Sequence, residues 1–293
     1  MNCIELKNVT KNYGDICALK NVSLKFEQDK IYGLLGRNGA GKTTLLNIIT
    51  NRIFADSGEV YVNGQIASEN DAVLKQIHMM SEKNFYPDGM KVRDAFRWTK
   101  EFYPDFDEAY AKDLAEKFGL NINKKIKTLS TGYGSIFKMI TTLSTNAPYL
   151  LFDEPVLGLD ANHRDMFYRT IIEKYAEKPC TIVISTHLIE EVANVIEDIV
   201  IIKNGEIIKS ESREELMSKG YTASGSAKAV DSFIADKNVM GTDSLGGLKT
   251  AYILGSVEQD AVPEGIEISK IDLQKLFIQL TNNNVNDNAE RRG

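Results

Sequence analysis

The chain has 293 residues, with 35 Lys and Arg against 41 Asp and Glu for a formal net charge of −6, and 43% of it is hydrophobic. That size and balance fit a globular protein of one large domain, or one with a smaller companion, and the mildly acidic charge speaks against a dedicated nucleic-acid binder, which carries a basic face. Cys3, Cys17 and Cys180 are odd in number and form no CxxC or Cys/His cluster, so neither a disulfide framework nor a zinc site is expected, and a reducing interior is the simplest setting.

From the N-terminus, Cys3–Val9 alternates apolar and polar residues like a half-buried strand, Ile31–Leu35 is a short apolar run, and Gly58–Asn63 repeats the strand pattern. Between Val92 and Phe118 the spacing turns helical, with Val92 and Phe96, then Leu114 and Phe118, before a stop at Gly119. Tyr149–Phe152 and Thr181–Ser185 are apolar without alternation, as expected of central strands in a parallel sheet covered by helices on both faces. Neither these nor Ile199–Ile202 approaches the roughly 18 apolar residues of a bilayer span, and no charged-then-apolar leader opens the chain. Asn204-Gly205 predicts a tight hairpin between Ile199–Lys203 and Glu206–Lys209. Lys219–Gly247, rich in Gly and Ser, ends the regular alternation and places a domain boundary near Ser218. Further on, Val230, Phe233 and Ile234 suggest a short helix, Leu248–Leu254 a strand, and Leu273, Leu276, Phe277 and Leu280 a one-sided helix. The polar stretch Asn282–Gly293 is expected to be disordered.

Within this α/β pattern, Gly36-Arg37-Asn38-Gly39-Ala40-Gly41-Lys42-Thr43 matches GxxxxGK[ST], directly after the strand Ile31–Leu35 and before an apolar helix that takes in Thr44. Glycines let successive backbone N–H groups turn toward phosphate oxygens, and the helix that follows points its positive end at them. Lys42 adds a mobile charge, and the Thr43 hydroxyl is the expected Mg²⁺ ligand, because a hard cation takes oxygen donors. Asp153 and Glu154, at the end of the apolar strand, supply partner carboxylates: Asp153 for the metal shell, Glu154 to orient and polarise an attacking water.

At this point the chain resembles the ATP-binding subunit of an ATP-binding-cassette (ABC) transporter over roughly residues 1–215. Leu129-Ser130-Thr131-Gly132-Tyr133 resembles the family signature LSGGQ, about twenty residues before the Asp153-Glu154 strand, and Pro155 with Gly158-Leu159-Asp160 resembles the segment after the catalytic Glu. His187 matches the family's switch histidine, where a neutral imidazole would reach the γ-phosphate, while His78 and His163 read as ordinary core or surface histidines. Tyr13 resembles the aromatic residue that stacks on adenine. The resemblance implies an ATP-dependent ATPase with Mg²⁺, nucleotide contacts from Tyr13, Gly36 through Thr44, Ser130, Gly132 and Asp160, and catalysis by Glu154 and His187. It also implies a phosphate-loop ABC ATPase core (residues 1–218) with an antiparallel β subdomain and a helical subdomain (about 85–146), an α+β extension (219–281) and a tail (282–293). Ser130 and Gly132 stand before the helical pattern Ile136, Ile140, Leu143, so hydroxyl and N–H groups sit at a helix N-terminus that favours phosphate. In the family that site faces the γ-phosphate bound by a second subunit; alone, LSTGY would be no more than a Ser cap.

Departures from the family pattern are Glu82 where a Gln is usual, Thr131 for Gly and Tyr133 for Gln. Glu82 would either reach the metal or line a surface loop. Phe85, Tyr86, Pro87 and Met90 would either form a docking groove or pack into the core. Thr131 resembles the signature of bacterial exporter ATPases. The resemblance therefore implies a subunit at the cytoplasmic face of the cell membrane, pairing with a second such ATPase, identical or closely related, and with separate membrane-spanning permease chains. It would drive export of a small molecule, antibiotic or peptide, with no nucleic-acid partner. The rival is a non-transport cassette of translation or DNA-maintenance type, but one phosphate loop and about ninety residues without sustained heptads before the signature speak against it.

Overall fold

Two asparagines in left-handed backbone, Asn8 (φ 52°) and Asn21 (φ 49°), shape the N-terminal strands. In the computed structural model, which describes residues 2–87, 89–257 and 262–282, β1 (Cys3–Tyr13) pairs antiparallel with β2 (Ile16–Glu27). The register breaks between Leu6 and Val9, so the predicted alternation stops at Val9 while the strand runs on to Tyr13. β2 escaped the sequence reading for the same reason: its buried residues Leu19, Val22, Leu24 and Phe26 are spaced unevenly across Asn21.

The chain continues through β3 (Ile31–Leu35), α1 (Lys42–Ile49), β4 (Ser57–Val62), β5 (Gln65–Ile66), α2 (Asp71–Leu74) and β6 (Ile77–Met80). Three longer helices follow, α3 (Val92–Phe102), α4 (Glu108–Lys117) and α5 (Thr131–Ser144), then β7 (Tyr149–Asp153), α6 (Ala161–Glu177), β8 (Thr181–Thr186), α7 (Ile189–Val192), β9 (Asp198–Lys203) and β10 (Glu206–Ser212). β1 and β2 join a four-stranded sheet of order β2-β1-β4-β5, and a six-stranded sheet runs β10-β9-β3-β8-β7-β6. Every residue of β3, β7 and β8 is buried, which is why these strands read as unbroken apolar runs. Parallel pairing aligns their carboxyl ends, with Leu35 opposite Thr186, Asp153 opposite Ser185 and Met80 opposite Phe152. Ligands of open α/β sheets gather at that edge.

The helices pack through one face each. α3 buries Val92, Ala95, Phe96 and Thr99, and Phe96 stacks on Phe137 of α5 with centroids 6.0 Å apart. Asp107 caps α4 by accepting the Tyr110 N–H at 2.9 Å, and Gly119 ends it at φ 65°.

His78 on β6 lies edge-on to Tyr103 at 5.0 Å, and its buried Nδ1 has no hydrogen-bond partner. Burial, then the nearby Arg52 charge, pushes its pKa down from 6.5 to about 3. The fold holds the imidazole neutral while the unfolded chain takes up a proton below 6.5, so stability falls as pH drops through that value and continues to fall toward 3. Between pH 6.5 and 5 this linkage amounts to about 2 kcal/mol. Urea unfolding should show the wild type losing about that much more than His78→Gln between neutral pH and pH 5; parallel losses would mean that the folded protein protonates His78 readily.

The described residues divide into two compact units, one of residues up to Leu188 with Asn194–Ser210, the other of Ile189–Ala193 with the residues from Glu211 to Asn282. In the second, α8 (Arg213–Ser218), β11 (Gly220–Ser226), α9 (Ala227–Phe233), β12 (Asn238–Leu245), β13 (Leu248–Leu254), β14 (Ile266–Lys270) and α10 (Leu273–Asn282) build an α+β fold. Its four-stranded antiparallel sheet has the order β12-β13-β11-β14. Val230 and Phe233 of α9 pack on Tyr221, Ala223, Ala251 and Ile253. The predicted boundary near Ser218 is corrected to Ser210, because α8 packs on β11 and Ile189–Ala193 belongs with α10. Within Lys219–Gly247, where the regular alternation is expected to end, the chain forms strand, helix and strand, and the short helix expected at Val230, Phe233 and Ile234 corresponds to α9. The expected tail begins inside α10 at Asn282, and residues 283–293 lie outside the described part.

Candidate active site

The phosphate-loop segment leaves β3 at Leu35 and enters α1 at Lys42. At Gly36 a Cβ would stand 2.7 Å from the Ile202 carbonyl oxygen, and at Gly41, with φ 112°, one would stand 2.6 Å from the Ala18 carbonyl oxygen. Both positions therefore require Gly. The Lys42 side chain is only 6% exposed and donates from Nζ to the Gly36 carbonyl (2.7 Å) and more weakly to that of Arg37 (3.4 Å). The Arg37 backbone carbonyl also accepts the Ala40 N–H at 3.1 Å.

Thr43 and Asp153, 110 positions apart, meet where α1 faces the end of β7: Thr43 Oγ1 donates to Asp153 Oδ2 at 2.8 Å. Ser185 Oγ donates to Asp153 Oδ1 at 3.0 Å. Burial raises the Asp153 pKa above the ordinary value, with these two hydrogen bonds and Lys42 pulling it down and Glu154 adding to the rise. A hydroxyl and a carboxylate in contact are the pair of hard oxygens that Mg²⁺ takes while keeping waters and phosphate oxygens as its other ligands, so these residues fit that ion.

Glu154 leaves the strand in left-handed backbone (φ 46°), pinned by its N–H to the Ser185 carbonyl at 2.8 Å. This turn swings its carboxylate away from Asp153 and into a separate set of partners. Oε2 accepts from Thr186 Oγ1 at 3.1 Å and lies 3.0 Å from His187 Nδ1, while Oε1 is 3.4 Å from Lys42 Nζ. Tyr13, 49% exposed, lines a cavity of about 510 Å³ with Gly39, Lys42, Thr43, Glu154 and His187. Asn38, Ala40, Gly41, Thr44 and Glu82 share its walls.

Ser130 caps α5, but its hydroxyl accepts the Tyr133 N–H at a long 3.4 Å, and the side chain is exposed. Ser130 and Thr131 line a neighbouring cleft of about 450 Å³ with Thr43, Glu82, Asp153 and Glu154. The signature turn is stitched to the segment after Glu154: Ser135 Oγ donates to the Leu157 carbonyl at 3.1 Å, and a Cβ on Gly132 would meet the Gly158 carbonyl at 2.8 Å. Within one chain Asp160 is not brought to the phosphate loop. It caps α6, accepting the His163 N–H at 2.9 Å and lying 3.0 Å from His163 Nδ1.

Next to β6 lies a groove of about 240 Å³. Phe85 and Tyr86 line it, joined by Trp98, Phe102 and Tyr103 of the α3 region, whereas Pro87 and Met90 do not. Met90 instead accepts the Ile126 N–H on its carbonyl at 2.9 Å. Sequence reasoning assigned no role to Ser185, Thr186 and Lys138. The first two were foreshadowed by hydroxyls at the end of an apolar strand, whereas Lys138 gave no signal.

A phosphate loop at one strand end, a hydroxyl-bound Asp and a pinned Glu at the next, and a capped signature helix define an ATP-hydrolysing cassette. Residues 19–157 match the ABC transporter family. The ABC transporter ATP-binding protein YtrB of Bacillus subtilis is 30% identical over 283 residues, covering 94% of this chain and 97% of that protein. On this likeness the chain belongs to the ABC transporter ATP-binding proteins: it is a transporter's ATP-binding subunit and an ATPase. The ribose import protein RbsA of Lacticaseibacillus paracasei is 26% identical over 80% of this chain, which spans only 49% of that protein. Among solved structures, a dimeric ATP-binding cassette in a post-hydrolysis state bound to ADP and Pi superposes with TM-score 0.64 at 25% identity, covering 72% of this chain and 98% of that one.

Proposed function

We propose that the chain is the ATP-hydrolysing subunit of a bacterial ABC exporter, in which two like chains close around two ATP molecules at the cytoplasmic face of the cell membrane. The arrangement of Glu154 carries this reading. Its carboxylate is held by Thr186 and His187 on one side and Lys42 on the other, beside the cavity that the phosphate loop lines. A base so placed orients a water in line with the terminal phosphate and takes its proton. His187 steadies the base and the phosphate, Lys42 and the loop N–H groups hold the phosphate oxygens, and Tyr13 offers its ring to adenine. Thr43 and Asp153 would hold Mg²⁺, and Glu82, which lines the same cleft, would be the further candidate ligand; the ion would neutralise charge between the phosphates.

The exposed cap Ser130, with Gly132, supports a site completed from the second chain, since a helix N-terminus with a weakly engaged hydroxyl suits a phosphate. The relative solved as a dimer with ADP and Pi agrees with that reading. Thr131 in the signature supports the export branch. No helix among the described residues is long and apolar enough to cross a membrane, so the spanning part would come from other chains, seated at the groove beside β6. Cargo would be a small molecule, antibiotic or peptide chosen by those chains.

Mixing two inactive variants tests the composite site. Lys42→Ala removes the phosphate grip and Ser130→Arg blocks the signature, yet a mixed dimer keeps one whole site: the loop of the second variant facing the signature of the first. Hydrolysis well above that of either variant alone is expected on mixing. No recovery would mean that each chain works with its own Ser130. Membrane chains that co-purify with the wild type would then identify the transporter and its direction.

A further inference from the structure

The first turn of α5 is weak in itself. It begins Thr131-Gly132-Tyr133-Gly134, with two glycines, the residues that favour a helix least after proline, and the bond to its cap Ser130 is a long 3.4 Å. What holds the turn comes from other parts of the chain. Gly158 has φ 81°, and a Cβ there would stand 3.0 Å from Thr131 Cγ2, so the Thr131 methyl occupies space that only a glycine leaves open. The Tyr133 ring lies edge-on to His163 of α6, with centroids 6.3 Å apart at 67°. Its hydroxyl stands 3.6 Å from where a Cβ on Gly119 would be, at the end of α4. His163 in turn stacks on the buried Phe118 at 6.3 Å and 21°, and its Nδ1 lies 3.0 Å from Asp160 Oδ2. Thr131 and Tyr133 are the two positions at which the signature departs from the family pattern, and both side chains reach the stretch from Gly158 to His163 that holds Asp160.

We propose that Tyr133 and His163 are positioning residues for hydrolysis at the composite site: their ring contact joins the signature turn to the start of α6, so that Ser130 and Asp160 face a second chain's nucleotide as one stiff edge. The proposal rests on the two-chain reading given above and adds what keeps the donated half of the site in shape. A Gln, the usual residue at position 133, has no ring to set against His163. The turn would then be held only by the Thr131 methyl, the Ser135 bond to the Leu157 carbonyl and the long cap bond, and Ser130 would lose its fixed place. Tyr133 is not among the described residues that line the cavity of its own phosphate loop. Its effect therefore falls on the nucleotide held by the other chain.

Mixing full-length inactive variants separates a donated role from a structural one. In a mixed dimer of Lys42→Ala and Ser130→Arg chains, the one whole site uses only the signature of the Lys42→Ala chain. Tyr133→Gln added to that chain should lower the recovered hydrolysis by about tenfold, as expected when a group that orients the reacting phosphate is misplaced. The same substitution added to the Ser130→Arg chain, whose signature is already blocked, should leave the recovered rate as it was. His163→Ala on the Lys42→Ala chain should match Tyr133→Gln, and the two together should cost no more than either alone, because they remove one contact. Tyr133→Phe keeps the ring and should keep the rate. Equal losses from the two placements would assign Tyr133 to the folding of its own chain and overturn the proposal. It would be overturned as well by no loss in either placement, by additive losses from Tyr133 and His163, or by a Phe that performs no better than Gln. If the Lys42→Ala and Ser130→Arg chains show no recovery before Tyr133 is changed, the composite site itself falls and takes the proposal with it.

Discussion

Glu154→Gln is expected to lower steady-state ATP hydrolysis by about a hundredfold or more, the range general-base removal spans, while ATP binding persists and nucleotide-loaded dimers accumulate. The substitution is nearly isosteric. The amide oxygen still accepts from Thr186 Oγ1 or faces Lys42, so the turn after β7 keeps its side-chain contacts, and the backbone bond from the Glu154 N–H to the Ser185 carbonyl is untouched. What disappears is a negative charge and a proton acceptor. Loss of the charge also removes one cause of the raised Asp153 pKa, so Asp153 ionises more readily and the metal-binding pair with Thr43 is strengthened. Binding and chemistry should therefore move in opposite directions, which a general loss of structure would not produce. Phosphate release measures the chemistry and gel filtration with ATP measures the dimer. Hydrolysis at the wild-type rate would remove Glu154 from the catalytic role and leave His187 or a water-mediated path as the base.

The parts of this molecule that were legible in its sequence are those whose physics is local. A buried parallel strand has to be apolar on both faces, so β3, β7 and β8 appear as unbroken runs, and a phosphate loop has to be contiguous because consecutive N–H groups form it. The parts that stayed hidden depend on register or on distance along the chain. Asn21 displaces the apolar spacing of β2 by one position, and β11 and β12 carry so much Gly and Ser that their pairing, rather than their composition, makes them strands. Within the candidate site, Ser185 is recognisable only once β7 and β8 are aligned, because its hydroxyl acts on a carboxylate 32 positions earlier. Lys138 lies more than 50 positions from the carbonyls it binds, on a helix face that composition alone assigns to solvent. Asp160 shows the reverse case, where a motif suggests a nucleotide contact and the fold of one chain gives it a helix cap instead. Only a second chain could bring that side chain to a phosphate.

Lys42→Ala should weaken ATP binding by about tenfold to a hundredfold, equivalent to the 1.5–3 kcal/mol of a hydrogen bond to a charged group, and bring hydrolysis to background. The Lys42 ammonium is buried among the Gly36 and Arg37 carbonyls and lies 3.4 Å from Glu154. Without it, the carboxylates of Asp153 and Glu154 face an incoming polyanion with only the exposed Arg37 as a side-chain cation on the loop, in a site where burial weakens solvent screening. The deficit should grow with the number of phosphates, large for ATP, smaller for ADP and near zero for AMP, because adenine and ribose do not depend on this charge. Isothermal titration of the three nucleotides in the presence of Mg²⁺ measures that gradient. Equal affinity of wild type and variant for ATP would remove Lys42 from the phosphate grip. An equal fall for all three nucleotides would mean that the loop has lost its shape once Gly36 and Arg37 no longer share a donor, and the charge would then be secondary.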